Sequence, residues 1–121
     1  MAEVYESDAD YEVGTVVIFG GDKEITQSTS GNDPRVAGII SENPAYLMNS
    51  KAEGQAVALL GKVKCKVSGF IRKGDMLATH NSLPGVAKKI SDPNPGTVIG
   101  KALEDYDSTE IGVINIVVGR C

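Results

Sequence analysis

The sequence VAGIISE occupies residues 36–42, and the sequence VIGKALE at residues 98–104 repeats its pattern of apolar residues around a central glycine and before a final glutamate. Two further pairs of stretches match in the same order along the chain, 13–17 with 73–77 and 23–26 with 88–91. The separations are 62, 60 and 65 residues, so the order is kept while the turn lengths vary. We therefore predict an internal repeat whose two halves are residues 13–67 and 73–118.

The repeated segments are typical of short β-strands joined by tight turns. The chain contains 14 glycines, 5 prolines and no tryptophan, and its apolar runs are rich in Val and Ile. In the stretch 55–67, apolar residues alternate with Lys62, Lys64 and Lys66, which predicts one buried face and one solvated face, or a face that meets an anionic partner. The predicted fold is all-β, a small sandwich or barrel built from two pseudo-repeated four-strand units.

Length and charge limit the domain organisation and the classes of partner. The chain has 121 residues, enough for one domain, which we place at 13–121 behind an acidic N-terminal arm at 1–12. Its formal net charge is -4, so we expect no nucleic-acid binding. No apolar run approaches the roughly 20 residues of a membrane helix, and the acidic start is unlike a secretion signal. We expect synthesis in a cytoplasm and no membrane insertion.

The residue types that carry chemistry are few and scattered. His80 lies at a predicted hairpin tip, Cys65 reads as a core residue, and Cys121 as a free thiol. Residues 45–49 are predicted to form a helical turn or an irregular connection. Two acidic groups could offer oxygen ligands, but neither has the spacing of a calcium loop: Asp8, Asp10 and Glu12, and Glu104, Asp105, Asp107 and Glu110. We expect no cofactor, no metal and no conventional enzyme active site.

Three stretches, residues 2–8, the strand at 14–19 and residues 36–44, resemble the C-terminal domains of bacteriophage and prophage tail fibre or appendage proteins. The resemblance covers nearly the whole chain. It implies a structural virion module that forms a homo-oligomer, with a trimer favoured, and that contacts other virion proteins. A small capsid decoration protein is a related possibility.

Two alternatives accompany that hypothesis. Some domains of the resembled family are autoproteolytic fibre chaperones, which implies Ser7-Asp8 as the scissile pair here, with Asp10 as the carboxylate that moves a proton. The other alternative is a tip that binds host-surface carbohydrate through aromatic rings, although the four tyrosines form no motif. These tyrosines are Tyr5, Tyr11, Tyr46 and Tyr106.

Overall fold

The computed structural model describes residues 1–42 and 54–119, and this part of the chain is all-β. The predictions for residues 45–49 and for Cys121 lie outside the described residues. The strands are β1 (Ala2–Glu6), β2 (Val16–Phe19), β3 (Ile25–Gln27), β4 (Val36–Ile40), β5 (Gly54–Ala58), β6 (Gly61–Ile71), β7 (Met76–Thr79), β8 (Ala87–Lys89), β9 (Gly100–Ala102) and β10 (Tyr106–Val118). Within the described ranges, no helix is long and apolar enough to cross a membrane.

The first five strands form one sheet in the order β1-β5-β4-β2-β3, and every neighbouring pair is antiparallel. The two outer strands approach each other again where β1 ends. There, Ser7 and Ile25 form a parallel bridge, the amide of Glu24 donates to the carbonyl of Glu6, and the amide of Asp8 donates to that of Ile25. This bridge brings the first sheet close to closure.

The last five strands form a closed barrel in the order β10-β6-β8-β7-β9. One contact is again parallel, between Val67 of β6 and Ala87 of β8, while the other pairs are antiparallel. Starting from β6, the cyclic order β6-β10-β9-β7-β8 is the order of the first sheet with each strand number raised by five. The two five-strand units therefore share one topology.

The residue register supports the same equivalence between the units. Gly38 pairs with Val17 in the first unit, and Gly100 pairs with Leu77 in the second. The parallel contacts also correspond, because Ser7 pairs with Ile25 in the first unit and Val67, 60 residues after Ser7, pairs with Ala87 in the second. The duplication predicted from the sequence is thus visible as strand pairing.

The boundaries of the two units differ from the prediction. Each unit has five strands, where the sequence predicted four, because the stretch 55–67 divides at Leu59 and Leu60 into β5 and β6. Gly61 has a φ of 106°, which favours glycine, and the N-terminal ammonium of Met1 donates to the carbonyl of Leu60. The strand β6 therefore opens the second unit instead of closing the first.

The acidic N-terminal stretch also differs from the predicted arm. Residues 2–6 form β1, which pairs with β5 along its whole length from Ala2 opposite Ala58 to Glu6 opposite Gly54. Backbone hydrogen bonds to β5 hold this strand in place. Because its acidic side chains are exposed, the sequence pattern of this stretch did not indicate a strand.

The hairpin strands β3 and β8 correspond with a different offset from the predicted one. Ile25 lies opposite Phe19 in the first unit, and Ala87 lies opposite Thr79 in the second. The equivalent residues Ile25 and Ala87 are therefore separated by 62 residues, where sequence matching gave 65.

The apolar side chains form two clusters, and one of them joins the units. Ile25, Ile40 and Val57 belong to the cluster of the first unit. The larger cluster fills the second barrel, yet it includes Val16 and Ile39 from the first unit. Because the larger cluster excludes water from side chains of both units, the two units pack as one body.

Candidate functional site

The segment that follows β1 contains the residues predicted for self-cleavage. Ser7 is buried, and its hydroxyl donates to the carbonyl of Ala9 at 2.6 Å. The amide of Ala9 lies 3.5 Å from the same hydroxyl oxygen. A serine that attacks a peptide bond needs a base that takes its proton. Within residues 1–42 and 54–119, the only acceptor that receives the Ser7 hydroxyl is a backbone carbonyl, which is not a base.

The carboxylate of Asp8 is held by two hydroxyl groups. The hydroxyl of Tyr11 donates to Oδ1 at 2.6 Å, and that of Thr26 donates to Oδ2 at 2.7 Å. Both bonds favour the charged form, so first Tyr11 and then Thr26 hold the pKa of the Asp8 carboxyl below its ordinary value. This carboxylate therefore links the N-terminal segment to β3 and is a weak proton acceptor.

Asp10 lies in the same region but is not brought onto Ser7. It is exposed, and it has no hydrogen bond or ion pair with another described residue. Ser7, Asp8 and Asp10 line one open depression together with Gln55. The side-chain amide of Gln55 binds the backbone of Tyr11 through two hydrogen bonds of 2.8 and 2.9 Å, which fixes the path of the chain here. The arrangement suits a structural turn.

His80 has a local structural contact. Its Nδ1 accepts hydrogen bonds from the amides of Ser82 and Leu83, both at 3.1 Å, so the proton of the neutral ring is on Nε2. Burial, followed by the charge of Lys88, lowers the pKa of His80. The imidazole thus caps the turn between β7 and β8 in its neutral form.

Among the described residues, the tyrosines considered for carbohydrate binding do not form an exposed platform. Tyr5 and Tyr11 pack against the apolar cluster of the first unit, and the ring of Tyr5 meets that of Phe19 edge to face at 5.4 Å. Tyr106 donates its hydroxyl to the carbonyl of Glu110 at 2.6 Å. Tyr46 lies outside the described residues.

The two acidic groups of the sequence take part in separate contacts. Glu12 forms an ion pair with Lys66 at 2.6 Å, and Arg72 forms one with Asp107. The amide of Lys73 donates to Asp105. Across residues 1–42 and 54–119, no group of three or more His, Cys, Asp or Glu side chains is placed to hold a metal ion.

The structure leaves three large apolar side chains exposed on the paired strands β6 and β10, which the sequence analysis did not identify. Phe70, Ile111 and Val113 are 65%, 53% and 52% exposed. In the same strand β10, Ile114 and Ile116 point into the barrel core. The sequence did contain a sign of these exposed side chains, because apolar residues stand at successive positions of β10. Only every second residue of a strand can face the inside, so some of them had to face outward. Exposed apolar groups of this kind mark contact surfaces.

The fold is similar to that of a solved phage protein, the head fibre gp8.5 N base of bacteriophage phi29. The TM-score is 0.59 at 18% sequence identity, and the alignment covers 99% of this chain and 94% of that chain. At this identity the likeness concerns the fold. No family model matches the sequence, and no curated protein matches it.

Proposed function

We propose that the chain is a structural module of a bacteriophage virion, either a fibre or appendage domain or a capsid decoration protein. The observation that carries the proposal is the likeness to a phage head fibre base over almost the full length of both chains. The internal contacts agree with it, because the polar side chains near the N-terminus stabilise turns and strand junctions. In this role the chain forms homo-oligomers and binds other virion proteins.

The finer features of the role are part of the same proposal. The resemblance noted in the sequence implies a trimer, a place in a tail fibre, and synthesis in the bacterial cytoplasm before incorporation into the virion. Exposed apolar side chains on β6 and β10 supply a surface for assembly. Burial of such a surface between copies stabilises an oligomer by removing apolar area from water.

Self-cleavage at Ser7-Asp8 is the less favoured alternative. The Ser7 hydroxyl donates to a backbone carbonyl, and the Asp8 carboxylate is occupied by two hydroxyl groups. A nucleophile and base in contact would have favoured catalysis. Carbohydrate binding is also less favoured, because Tyr5 and Tyr11 contribute to the core of the first unit. Silence on a glycan array is the expected result.

Mass photometry and sedimentation equilibrium of the purified chain test the assembly role. We expect a stable oligomer at micromolar concentration, and the measured mass gives the number of copies. A chain that stays monomeric throughout the micromolar range contradicts the proposal. Mass spectrometry of purified phage particles tests the virion location independently, since the proposal requires the chain to be present in them.

A further inference from the structure

We propose that copies of the chain associate head to tail, with β1 of one copy lying against residues 72–76 of the next. This inference rests on the proposed assembly role and specifies the contact between copies. Its template is the junction between the two units inside one chain, because the units share one topology and can make equivalent contacts. A contact between two different surfaces is heterologous, so it joins copies into a closed ring or an open chain.

Residues 12–16 of the first unit lie against β6 of the second unit. The carbonyl of Gly14 accepts from the amide of Lys66 at 2.9 Å, and the carboxylate of Glu12 forms its 2.6 Å ion pair with the ammonium of the same lysine. Gly14 and Val16 are buried, and Val16 belongs to the apolar cluster that fills the second barrel. The first unit thus covers the edge of β6 with a backbone contact, an ion pair and an apolar side chain.

The equivalent residues of the second unit, 72–76, have no such cover. Gly74 has a φ of 93°, close to the 96° of Gly14, so the backbone takes the same path at both places. A Cβ on Gly14 would lie 3.6 Å from Lys66, whereas one on Gly74 would meet nothing within 4 Å beyond its chain neighbours. Gly74 is exposed, and Met76 is only partly buried where its counterpart Val16 is fully buried. The second unit therefore presents openly a surface that is a contact surface in the first.

The strand that fits this open surface is β1, the counterpart of β6. Glu6 stands one residue before the parallel contact of the first unit, as Lys66 does in the second. β1 is an outer strand of its sheet and pairs with β5 on one side. On its other side, the amide of Glu6 donates to the exposed carboxylate of Glu24 at 2.8 Å, where the amide of Lys66 donates to Gly14. A surface side chain thus occupies the position that the carbonyl of Gly74 from a second copy takes in the contact.

The charges at the equivalent positions are exchanged and remain complementary. Within the chain, Glu12 pairs with Lys66. The residue 60 positions after Glu12 is Arg72, and the residue 60 positions before Lys66 is Glu6. Both counterparts are exposed, and the Glu6 carboxylate forms no ion pair with another described side chain. Arg72 is paired with the exposed Asp107, and its guanidinium has further N–H groups for a second carboxylate. The contact between copies therefore keeps an ion pair at this position, with its polarity reversed.

Charge reversal on the full chain tests the contact. We expect Glu6→Lys and Arg72→Glu each to weaken self-association by about tenfold or more, because like charges then face each other. The variant that carries both reversals restores association. Glu6→Lys combined with Lys62→Glu is the matched control: it has the same net charge as the restoring variant, but Lys62 lies near the start of β6 and Arg72 follows its end. This control should stay as weak as Glu6→Lys alone. Sedimentation equilibrium gives the association constants, and circular dichroism confirms that each variant is folded.

Chemical cross-linking locates the contact without weakening it. Arg72→Lys keeps the positive charge and supplies an amine, which a carbodiimide should join directly to the carboxylate of Glu6. In a mixture of isotope-labelled and unlabelled chains, peptides linked between copies carry the label on one side only, and mass spectrometry identifies them. The ion pair of Glu12 with Lys66 is the internal control, because its cross-link forms within one copy.

The outcomes separate this inference from the proposed function. A wild-type chain that stays monomeric at micromolar concentration overturns both. A wild-type oligomer that is insensitive to the single reversals overturns the head-to-tail contact and leaves the structural role intact. The same holds if the double reversal associates no better than the matched control. Absence of a cross-link between copies, while the internal control forms, also overturns the contact alone.

Discussion

Gly38 and Gly100 occupy equivalent positions in the two units, and each lies directly against the backbone of the neighbouring strand. A Cβ on Gly38 would collide with the carbonyl of Ala58, and one on Gly100 would collide with the carbonyl of Val117. Neither glycine has a positive φ, so the close approach of the strands is the reason for glycine at both places. The repeated glycine of the sequence therefore marks a repeated contact.

Alanine at either glycine is expected to destabilise the fold. Because the obstructing atom belongs to a paired strand, the backbone must move, and we expect Gly38→Ala and Gly100→Ala each to cost about 1–3 kcal/mol. Urea unfolding followed by circular dichroism measures the change. The exposed neighbour Lys101 provides the control, since Lys101→Ala should change stability by less than about 0.5 kcal/mol. Equal stability of the glycine variants and the control would contradict the close-contact explanation.

Thr79 of β7 connects the two units through its hydroxyl. This buried group donates to the carbonyl of Ser30 at 2.7 Å and accepts from the amide of Asp33 at 2.8 Å. Thr79→Val keeps the shape but leaves both backbone groups without this partner, so we expect a loss of about 1–3 kcal/mol. Thr29→Val, at an exposed threonine, is the control for the substitution itself. The prediction is wrong if the two variants unfold at the same urea concentration.

His80 makes stability depend on pH. Its lowered pKa means that the folded chain binds this proton less readily than the unfolded chain. The contribution of neutral His80 to the free energy of unfolding is therefore complete at a pH above 6.5, the ordinary pKa of histidine. It is lost as the pH falls through the lowered pKa of His80 in the folded chain. We expect the melting temperature to fall between pH 7 and pH 5 by more in the wild type than in His80→Asn.

Asparagine suits this comparison because its side-chain oxygen can accept from the amides of Ser82 and Leu83 without titrating. An equal slope of melting temperature against pH in the wild type and His80→Asn would assign the dependence to other groups. NMR titration of the His80 ring checks the direction of the pKa shift independently.

Self-cleavage is tested by the intact mass of the chain with an added N-terminal extension. Because Ser7 lacks a base partner within the described residues, we expect no cleavage during long incubation. The Asp10→Ala variant should likewise keep its full-length mass, without a cleavage product. A fragment that begins at Asp8 in the wild type, and that disappears in Asp10→Ala, would establish catalysis and contradict the structural interpretation.

Asp8→Asn should lower the stability of the fold, because a neutral amide binds the hydroxyl groups of Tyr11 and Thr26 less strongly than a carboxylate does.

Much of the fold could be predicted from local patterns. The match of 36–42 with 98–104 correctly aligned β4 with β9, because both strands need a glycine at the same close approach. The boundary between the units was harder to predict, since the apolar run through Leu59 and Leu60 has no proline or glycine before Gly61. The start of β6 there depends on a turn that the N-terminus of the chain helps to hold.

The candidate site was less predictable than the fold. Ser7, Asp8 and Asp10 are close in sequence, and the structure does place them around one depression. Thr26, which donates to the Asp8 carboxylate, comes from β3, so no local pattern could show that this carboxylate is already occupied. Gln55, which binds the backbone of Tyr11 beside the same depression, comes from β5. The contact of Glu12 with Lys66 is likewise remote in sequence.

By itself, the sequence determined the all-β class and the existence of a duplication, because glycine position and apolar alternation act over a few residues. Only the tertiary structure decided that each unit has five strands, that the second closes into a barrel, and that Phe70, Ile111 and Val113 remain exposed. The physical reason is that strand pairing joins residues far apart in the chain. The side of a strand that faces water is known only after its neighbours are in place.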